Sequence, residues 1–477
     1  MIPDNSRTFT NYGWGVCLWI LIVSFQYGFH ISALNQIQAV LTCKVTDPGS
    51  GDSGSGGARV HYGLPTCIPM SDATFSILTS VYTIGGLLGS LFANVIMDRW
   101  GRKGAVRASA ITVVGGAGMM GVAGSLTPLV IGRIFAGVGA GIGICVGPIF
   151  LSEIAPPRIK GAIGVLTQFS IVMGIMVTQA MGLKLATPHE WRIVLLFSFA
   201  LAAAMLLAGP LIVESPTWLA RHNMTEQKSL ATRWLYGVRD TPSRSVSEDA
   251  TVDPLLGDPD FDAETQRARG ASSSGAAISV PHLLGARELR KPLTIVCFSM
   301  LVQQLSGVNA VLYYSNDILS KALPDMGPYI SLGITIVNVL MTFPPIFLIE
   351  KIGRRQLLTY SASGAVISLV GVGLGLDVNW VGLASFAIIA FIASFAIGVG
   401  PVPFVMIPEV SPVHAVSALS SVGLSLNWVA NFIVGLVFLP LRNMLAGGDP
   451  LKEGRVFYVF SLVMLFCTFV LLKVYRG

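Results

Sequence analysis

The amino-acid sequence predicts an all-α membrane protein with twelve transmembrane helices in two groups of six. Hydrophobic residues make up 53% of the 477 residues and charged residues only 12%, which is too apolar for a surface that faces water. Apolar stretches of about 18 to 25 residues recur along the chain, each long enough to cross a bilayer as a helix. These predicted spans 1 to 12 lie near residues 13–35, 73–97, 106–125, 128–150, 161–183, 192–213, 292–318, 328–349, 357–376, 380–407, 417–440 and 456–473.

The placement of basic residues predicts the orientation of the spans. A formal charge of +6 is compatible with a nucleic-acid partner, but the basic residues lie in short loops beside the spans, so no nucleic-acid partner is predicted. The loops after spans 2, 4 and 8 fall on one side of the membrane, which the positive-inside rule makes cytosolic. Both termini and the loop after span 6 are then cytosolic as well.

The largest change in composition falls between spans 6 and 7. Residues 214–291 are rich in Asp, Glu, Ser and Arg and poor in periodic apolar residues, which predicts a cytosolic connector. Its residues 240–278 are predicted to be disordered. The connector divides the chain into an N-terminal six-helix bundle, 1–213, and a C-terminal six-helix bundle, 292–477.

The two halves of the chain resemble each other. DRWGRK at 98–103 recurs as EKIGRR at 350–355, and GPIFLSEIAP at 147–156 is echoed by GPVPFVMIPEVSP at 400–412. The separation between partners is nearly the same for both pairs, and two unrelated coincidences would not share a period. The sequence therefore predicts an internal repeat of six spans, which is typical of transporters whose halves rock about a site in the middle of the membrane.

The charged residues of these repeated motifs predict a latch on the cytosolic face. A cation beside one helix end pairs with a carboxylate on a neighbouring helix in one state and is released in the other. The alternative interpretation is that these residues only determine topology. The predicted latch residues are Asp98, Arg99, Arg102, Arg133, Glu153, Lys160, Glu350, Arg354, Arg355 and Glu409.

Two of the six cysteines bracket a polar loop on the predicted non-cytosolic side. Cys43 and Cys67 lie before and after this loop, where an oxidising compartment favours a disulfide. Two free thiols are the alternative, because the distance between the two residues cannot be read from the sequence.

Eight motifs, in order along the chain, resemble the sugar porter branch of the major facilitator superfamily. They are DRWGRK, GRIFAGVGAGIG, SEIAPPRIKGA, VESPTW, QQLSGVNAVLYYS, EKIGRR, GPVPF and NWVANFIVG. The resemblance implies the major facilitator fold, a solute site between two six-helix bundles, and alternating access by uniport or proton symport. No nucleotide-binding loop or metal-ligand spacing is present, so neither an enzyme activity nor a cofactor or metal is predicted. The expected partners are a small solute and the lipid bilayer, with protons if transport is coupled, and a monomer is expected.

The same resemblance implies a set of sugar-contacting residues. Amide side chains both donate and accept hydrogen bonds, as sugar hydroxyl groups require, and amides facing lipid are costly. The alternative is that each amide only joins helices. Gly398, Gly400, Pro401 and Pro403 of span 10 are expected to break that helix and form a gate. The expected sugar contacts are Gln168, Gln303, Gln304, Asn309, Asn338, Phe404 and Asn427.

The sequence departs from the family pattern at positions that bear on the substrate. Phe404 replaces a Trp of hexose carriers and Ala396 replaces a Glu. The resemblance to hexose carriers therefore does not by itself make glucose the expected substrate. His30 occupies the position where proton-coupled relatives carry Asp and uniporters carry Asn. Because histidine titrates near physiological pH, it is a candidate for proton coupling, and a neutral, hydrogen-bonded histidine is the alternative.

The function predicted is transport of a monosaccharide or related small polyol. A receptor that binds sugar without transporting it, or a carrier of another small metabolite, is the alternative. Sensors of this family carry a long cytosolic tail, whereas only a short segment follows span 12. The departures at Ala396 and Phe404 resemble a fungal vacuolar branch, so both the plasma membrane and the vacuolar membrane are expected locations.

Overall fold

The computed structural model describes residues 9–44, 60–61, 63–237, 278–309, 311, 327–447, 449 and 452–475, and these residues are mostly helical. A helix pairs its backbone N–H and C=O groups within one segment, which is what a chain in lipid requires. The apolar stretches of the sequence accordingly lie in long helices.

Five helices form the first bundle. Helix α1 is capped by Thr10, whose hydroxyl accepts a hydrogen bond from the Gly13 amide at 3.0 Å. Single 3₁₀ turns at Pro157–Ile159 and Gly209–Leu211 adjoin α4 and α5. The helices are α1 (Asn11–Leu41), α2 (Asp72–Gly121), α3 (Leu126–Ile154), α4 (Lys160–Leu185) and α5 (Trp191–Ala208).

Helix α2 contains two predicted spans joined without a loop. Gly101 has φ 77° and ψ −178°, a backbone conformation that is essentially confined to glycine. The helical path therefore breaks at Gly101. The residues before it form predicted span 2 and those after it form predicted span 3.

The connector contributes short helices on either side of the predicted disordered part. These are α6 (Pro216–Arg221), α7 (Thr225–Tyr236), α8 (Val280–Gly285) and a 3₁₀ turn at Arg287–Leu289. Leu283 and Leu289 are buried against the start of the helix that follows residue 415. Of the residues predicted to be disordered, all except Ile278 lie outside the described residues.

The second bundle is formed by the remaining helices, which follow the connector. One turn of π-helix, Phe395–Val399, interrupts predicted span 10. The helices are α9 (Arg290–Leu305), α10 (Gly327–Ile352), α11 (Arg354–Asp377), α12 (Val381–Ser394), α13 (Val402–Val410), α14 (Val416–Ala446) and α15 (Arg455–Val474).

The described residues account for eleven of the predicted spans and the beginning of the other. Ten helical segments are long and apolar enough to cross a membrane, and one of them is α2, which holds two spans. Helix α9 is the first part of predicted span 7, and most of residues 310–326 lie outside the described residues.

The two bundles contact each other mainly through two helix pairs. Helix α2 packs against α14, and α4 packs against α10. Under the internal repeat, the first half of α2 corresponds to α10 and α4 corresponds to α14, so the two contacts are equivalent. The bundles are thus joined by one pseudo-symmetric interface, which is the arrangement that rocking of two halves requires.

A loop stabilised by a disulfide covers one end of the first bundle. The structure joins Cys43 and Cys67, whose Cα atoms lie 5.3 Å apart. The loop contains a small hairpin of β1 (Val60–His61) and β2 (Leu64–Pro65). The Trp191 indole donates to the backbone oxygen of Thr66 at 2.7 Å, which fixes the loop on α5. We call this end the disulfide end, and the opposite end, where Arg102 and Arg354 lie, the latch end.

Candidate functional site

Three buried amide side chains form a hydrogen-bonded chain inside the second bundle. The Asn427 amide nitrogen donates to Gln303 Oε1 at 2.9 Å, and Gln304 Nε2 donates to Asn427 Oδ1 at 3.1 Å. Gln303 Nε2 in turn donates to the backbone oxygen of Gly400 at 2.7 Å. The structure therefore brings together the glutamines at the end of α9 and the asparagine of α14.

A second pair of asparagines extends this chain. Asn309 Nδ2 lies 3.3 Å from Gln304 Oε1 and 2.8 Å from Asn431 Oδ1. Asn431 was not predicted from the sequence. A signal was present, because Asn431 follows Asn427 by one helical turn in the motif NWVAN and so shares its helix face.

The first bundle faces the same region through Gln168. A Cβ atom added at Gly400 would lie 3.3 Å from Gln168 Nε2, so this amide on α4 approaches the residue whose carbonyl accepts from Gln303. Phe404 is buried at the interface, where it lines a small crevice with Pro148 and Gly164 of the first bundle. The amide site thus lies between the bundles, with groups from both. We call Gln168, Gln303, Gln304, Asn309, Asn427 and Asn431 the amide cluster.

Asn338 lies apart from the amide cluster in the hydrogen-bond pattern. It is buried on α10, and its amide oxygen has no hydrogen-bond partner among the described residues. Three residues earlier on α10, the Thr335 hydroxyl donates to Gln179 Oε1 on α4 at 2.6 Å. Asn338 therefore sits on the α4–α10 interface with an acceptor available to a ligand. The Thr335–Gln179 contact was not predicted from the sequence.

The predicted break of span 10 takes the form of a π turn. The Gly400 amide donates to the Phe395 oxygen at 2.9 Å, five residues back, in place of the usual four. Pro401 has no amide hydrogen, and α13 begins at Val402. The break leaves the Gly400 carbonyl free to accept from Gln303.

Trp428 of the second bundle inserts into the first. Its indole nitrogen donates to Ser90 Oγ at 3.0 Å, and its ring meets Tyr27 and Tyr82 edge to face, with ring centroids 5.5 and 5.7 Å away. It follows Asn427 directly, so the helix turn that carries an amide of the cluster also carries this contact with the opposite bundle. The sequence motif contained Trp428, but no role was predicted for it.

His30 lies inside the first bundle, near Tyr82, one of the two rings that Trp428 contacts. Its Nε2 atom is 2.8 Å from the Ser198 hydroxyl on α5, and the residue is fully buried. The imidazole centroid is 6.2 Å from that of Tyr82, and the guanidinium carbon of Arg133 lies 4.4 Å from the same Tyr82 ring. His30 and Arg133 therefore flank one aromatic ring that touches the interface through Trp428.

The prediction that Arg133 belongs to the latch is wrong. Arg133 and Glu153 lie on the same helix, α3, twenty residues apart, which corresponds to about 30 Å. Glu153 is near the latch end of α3, so Arg133 is in the half toward the disulfide end. The charge of Arg133 suggested an ion-pair partner, but charge does not indicate how deep within a helix a residue lies.

Two ion pairs, related by the internal repeat, stabilise the latch end of each bundle. Arg102 is fully buried and contacts Glu153 with two nitrogens, Nη2 at 2.8 Å and Nε at 2.9 Å. Arg354 contacts Glu409 in the same way, with Nη2 at 2.7 Å and Nε at 3.0 Å. Each pair lies within one bundle, so neither pair joins the two bundles.

At the latch end, the first carboxylate of each repeated motif forms a contact that crosses between the bundles. The Ser417 hydroxyl on α14 donates to Asp98 Oδ1 at 2.9 Å. The Gly161 amide on α4 donates to Glu350 Oε1 at 2.7 Å, while Glu350 also contacts Arg354 at 3.0 Å. Asp98 corresponds to Glu350 in the repeat, and Gly161 corresponds to Ser417, so the two contacts are equivalent. We call them the crossing bonds.

Glu214 stabilises the break in α2 at Gly101. Its carboxylate accepts from the Arg102 amide at 2.9 Å and from the Lys103 amide at 3.0 Å. Burial raises the pKa of Glu214, although the hydrogen bonds from Ser215, Lys103 and Arg102 oppose that rise. Glu214 lies in the motif VESPTW, but its contact with the backbone after Gly101 was not predicted from the sequence.

The other predicted latch residues lie at the latch end but outside these pairs. Arg99 and Arg355 are exposed, and Arg355 Nη2 is 3.5 Å from the backbone oxygen of Leu472. Lys160 is half-buried and lines a crevice that Glu409 of the opposite bundle also lines.

Comparison with known proteins places the chain in a family. The sequence model of the family described as sugar (and other) transporter matches residues 16–476. The chain belongs to this sugar (and other) transporter family. This transporter is 33% identical over 459 residues to a probable metabolite transport protein of Saccharomyces cerevisiae, covering 94% of this chain and 90% of that protein. It is 32% identical over 459 residues to human solute carrier family 2, facilitated glucose transporter member 5, covering 93% and 85%.

A solved structure shows the same fold. The proton:xylose symporter XylE, bound to 6-bromo-6-deoxy-D-glucose, matches this transporter with a TM-score of 0.75 at 18% identity, covering 98% of this chain and 96% of that one. The predicted major facilitator fold and the predicted family are therefore confirmed. The family consists of multi-pass membrane transporters, so the prediction of a transporter and not an enzyme is confirmed as well.

Proposed function

We propose that this transporter carries a monosaccharide or a related small polyol across its membrane by alternating access. The amide cluster around Gly400 carries the proposal, because it gathers groups that both donate and accept hydrogen bonds at the interface of the two bundles. The facilitated glucose transporters among its relatives support a sugar as the substrate.

The energetics of the cluster favour reversible binding. In the structure the amides bond to one another, so a sugar hydroxyl must replace an existing bond. Each exchange gains only about 1 kcal/mol, because one hydrogen bond is traded for others. A few such exchanges give affinity in the millimolar range, which permits release on the far side.

Binding by both bundles couples the substrate to movement. Gln168 belongs to the first bundle and the other amides of the cluster to the second, so a sugar that contacts both favours closure around itself. We propose that residues 1–213 and 292–477 move as two units joined by the connector, 214–291. The crossing bonds at Asp98 and Glu350 must break before the latch end opens.

Two positions bear on which sugar binds, Ala396 in the π turn and Phe404 in α13. Ala396 supplies no polar group, and Phe404 offers a ring without the N–H of an indole. The site therefore has one fewer anchor for a hydroxyl group than the hexose-carrier pattern. We propose weaker binding of glucose than of a sugar or polyol whose hydroxyls match the amide cluster alone.

The surroundings of His30 favour transport without a proton. A protonated imidazole and the buried guanidinium of Arg133 would both lie near the Tyr82 ring, and two buried cations repel each other. The Ser198 contact is satisfied by a neutral imidazole. We therefore propose uniport, with symport through His30 as the alternative that the transport assay decides.

The sidedness proposed for this transporter follows from its loop charges. The latch end carries Arg99, Lys103, Arg354 and Arg355, so we propose that it is cytosolic, together with both termini. The disulfide end then faces the outside of the cell or the lumen of the vacuole. Fluorescence imaging of a tagged chain distinguishes the plasma membrane from the vacuolar membrane.

The experiment that tests the proposal is uptake of radiolabelled sugars and polyols into proteoliposomes containing the purified transporter. Each compound is measured with and without an inward proton gradient. Gln304→Ala removes the bond to Asn427, and Gln227→Ala, an exposed glutamine on α7, serves as the matched control. We expect uptake that Gln304→Ala lowers at least tenfold and Gln227→Ala leaves unchanged.

Each result of this assay distinguishes one alternative. Equal uptake with and without the gradient supports uniport, whereas stimulation that is lost in His30→Ala supports symport. Binding of a sugar without uptake of any compound replaces the proposal with a receptor. Uptake that survives Gln304→Ala unchanged contradicts the assignment of the amide cluster.

A further inference from the structure

The π turn between α12 and α13 shifts the backbone hydrogen bonds of the helix by one residue. In an α-helix the Val399 amide would donate to the Phe395 oxygen, but the Gly400 amide takes that oxygen at 2.9 Å. Such turns are rare and often lie at functional sites, so a contact from a neighbouring helix that holds one in place bears on function.

One hydroxyl on a neighbouring helix bonds to the backbone at both ends of this turn. Ser361 on α11 is buried, and its Oγ donates to the Ser394 oxygen at 2.5 Å and accepts from the Val399 amide at 2.8 Å. The hydroxyl therefore joins the hydrogen-bond ladder at the π turn. Insertion of a side chain into the ladder is a recognised cause of a local distortion of a helix.

The close approach of α11 depends on Gly398. A Cβ atom added there would lie 2.6 Å from Ser361 Cβ and 2.7 Å from the Leu357 oxygen, both well inside van der Waals contact. Only a residue without a side chain lets Ser361 reach the turn. Gly398 and Ser361 thus form one structural unit, although they are far apart in the sequence.

The turn that Ser361 supports carries an acceptor of the amide cluster. Gly400 follows Val399 directly, its amide closes the π turn, and its carbonyl accepts from Gln303 at 2.7 Å. Gln303 is bonded in turn to Asn427. The Ser361 hydroxyl is therefore linked to Gln303 through the Val399 amide and the backbone of Gly400.

We propose that Ser361 is a positioning residue of the sugar site, which holds the π turn so that the Gly400 carbonyl orients Gln303 toward the substrate. Ser361 acts through the backbone and does not itself contact the sugar. This inference rests on the proposed function, because it assigns the residue a role in sugar binding.

The test compares Ser361→Ala with Ser368→Ala. Ser368 lies two turns further along α11, and its hydroxyl bonds only to the Gly364 oxygen of its own helix among the described contacts, so it controls for loss of a hydroxyl from this helix. The first measurement is hydrogen–deuterium exchange of the purified protein over peptides that cover residues 394–404. We expect faster exchange in Ser361→Ala and no change in Ser368→Ala.

The second measurement is the kinetics of sugar uptake. We expect Ser361→Ala to raise KM about tenfold with a maximal rate within about twofold of the parent, because one buried hydrogen bond is lost and its neighbours shift. In the Gln303→Ala background, Ser361→Ala should raise KM no further, since both changes act on the same contact. Ser368→Ala should leave KM unchanged in either background.

The outcomes separate this inference from the proposed function. Unchanged exchange at 394–404, or effects on KM that add fully to those of Gln303→Ala, would overturn the role of Ser361. If the parent protein transports no sugar, the proposed function fails. Faster exchange in Ser361→Ala would then still establish its hold on the π turn, and the claim about sugar binding would fall with the function.

Discussion

Asn427 holds the amide cluster together, because its single amide group bonds to both Gln303 and Gln304. Asn427→Ala removes both bonds and leaves two glutamines to find new partners, so we expect KM for the transported sugar to rise at least tenfold. Asn443→Ala, near the end of the same helix, is the matched control and should leave KM unchanged. Sugar uptake in proteoliposomes measures both, and an unchanged KM in Asn427→Ala would count against the cluster as the binding site.

His30 is the candidate residue for proton coupling. His30→Asn keeps a polar group within reach of Ser198 but removes any group that titrates near neutral pH. If the imidazole is neutral beside Arg133, the variant should transport with the same indifference to a proton gradient as the parent. Uptake across liposomes with and without an inward gradient checks this. Gradient-driven accumulation by the parent that disappears in His30→Asn would establish symport instead.

Gly101 and Gly353 lie at equivalent positions of the internal repeat, three residues after Asp98 and Glu350, and their contacts differ. Gly101 and Gly353 both have positive φ, 77° and 87°, with extended ψ, so alanine is strained by about 1–3 kcal/mol at either position. At Gly101 an added Cβ would also lie 2.2 Å from Glu214 Oε2, whereas at Gly353 no described atom lies within 4 Å. We therefore expect Gly101→Ala to lower the Tm of the purified protein more than Gly353→Ala. Equal losses in thermal unfolding would show that the Glu214 contact contributes nothing.

The crossing bonds are two hydrogen bonds that join the helices of the two bundles at the latch end. Asp98→Ala removes the Ser417 bond, and Glu350→Ala removes the Gly161 bond, each worth about 1 kcal/mol. Such a loss shifts the balance toward an open latch end about fivefold. Exposed Arg99, replaced by alanine, is the control.

Cys145 reports this opening. It is buried between the bundles, where the Ser420 hydroxyl donates to its backbone oxygen at 3.1 Å. In a chain whose Cys17, Cys297 and Cys467 are replaced by serine, we expect maleimide to label Cys145 about fivefold faster in Asp98→Ala and Glu350→Ala, and at the parent rate in Arg99→Ala. Labelling that does not change in either acidic variant would contradict the role of the crossing bonds.

Helices were more predictable than the contacts between them. The apolar stretches of the sequence predicted eleven of the described spans, because helix length and hydropathy are local properties. The π turn at Phe395–Val399 was foreseen only as a break, since its geometry depends on Ser361 of another helix. The prediction that Arg133 is a latch residue was wrong, because charge type alone does not give depth along a helix.

For the whole molecule, the family motifs predicted which residues meet but not how they are paired. The sequence indicated Gln303, Gln304 and Asn427 as a site, and the structure bonds them together. It did not separate the ion pairs within each bundle from the crossing bonds at Asp98 and Glu350, because that distinction requires knowing which helices of opposite bundles face each other. Once the structure shows one crossing bond, the internal repeat identifies the residues of the other.

The orientation of the whole molecule can be tested at the disulfide end. If the latch end is cytosolic, Cys43 and Cys67 face an oxidising compartment and form the bond that the structure contains. In Cys67→Ser, with the four other cysteines replaced, Cys43 is the remaining thiol. We expect a membrane-impermeant maleimide to label it only from the non-cytosolic side, and the unsubstituted Cys43–Cys67 pair to react only after reduction. Labelling of Cys43 from the cytosolic side would reverse the proposed topology, because the latch end would then face outward and the basic loops would break the positive-inside rule.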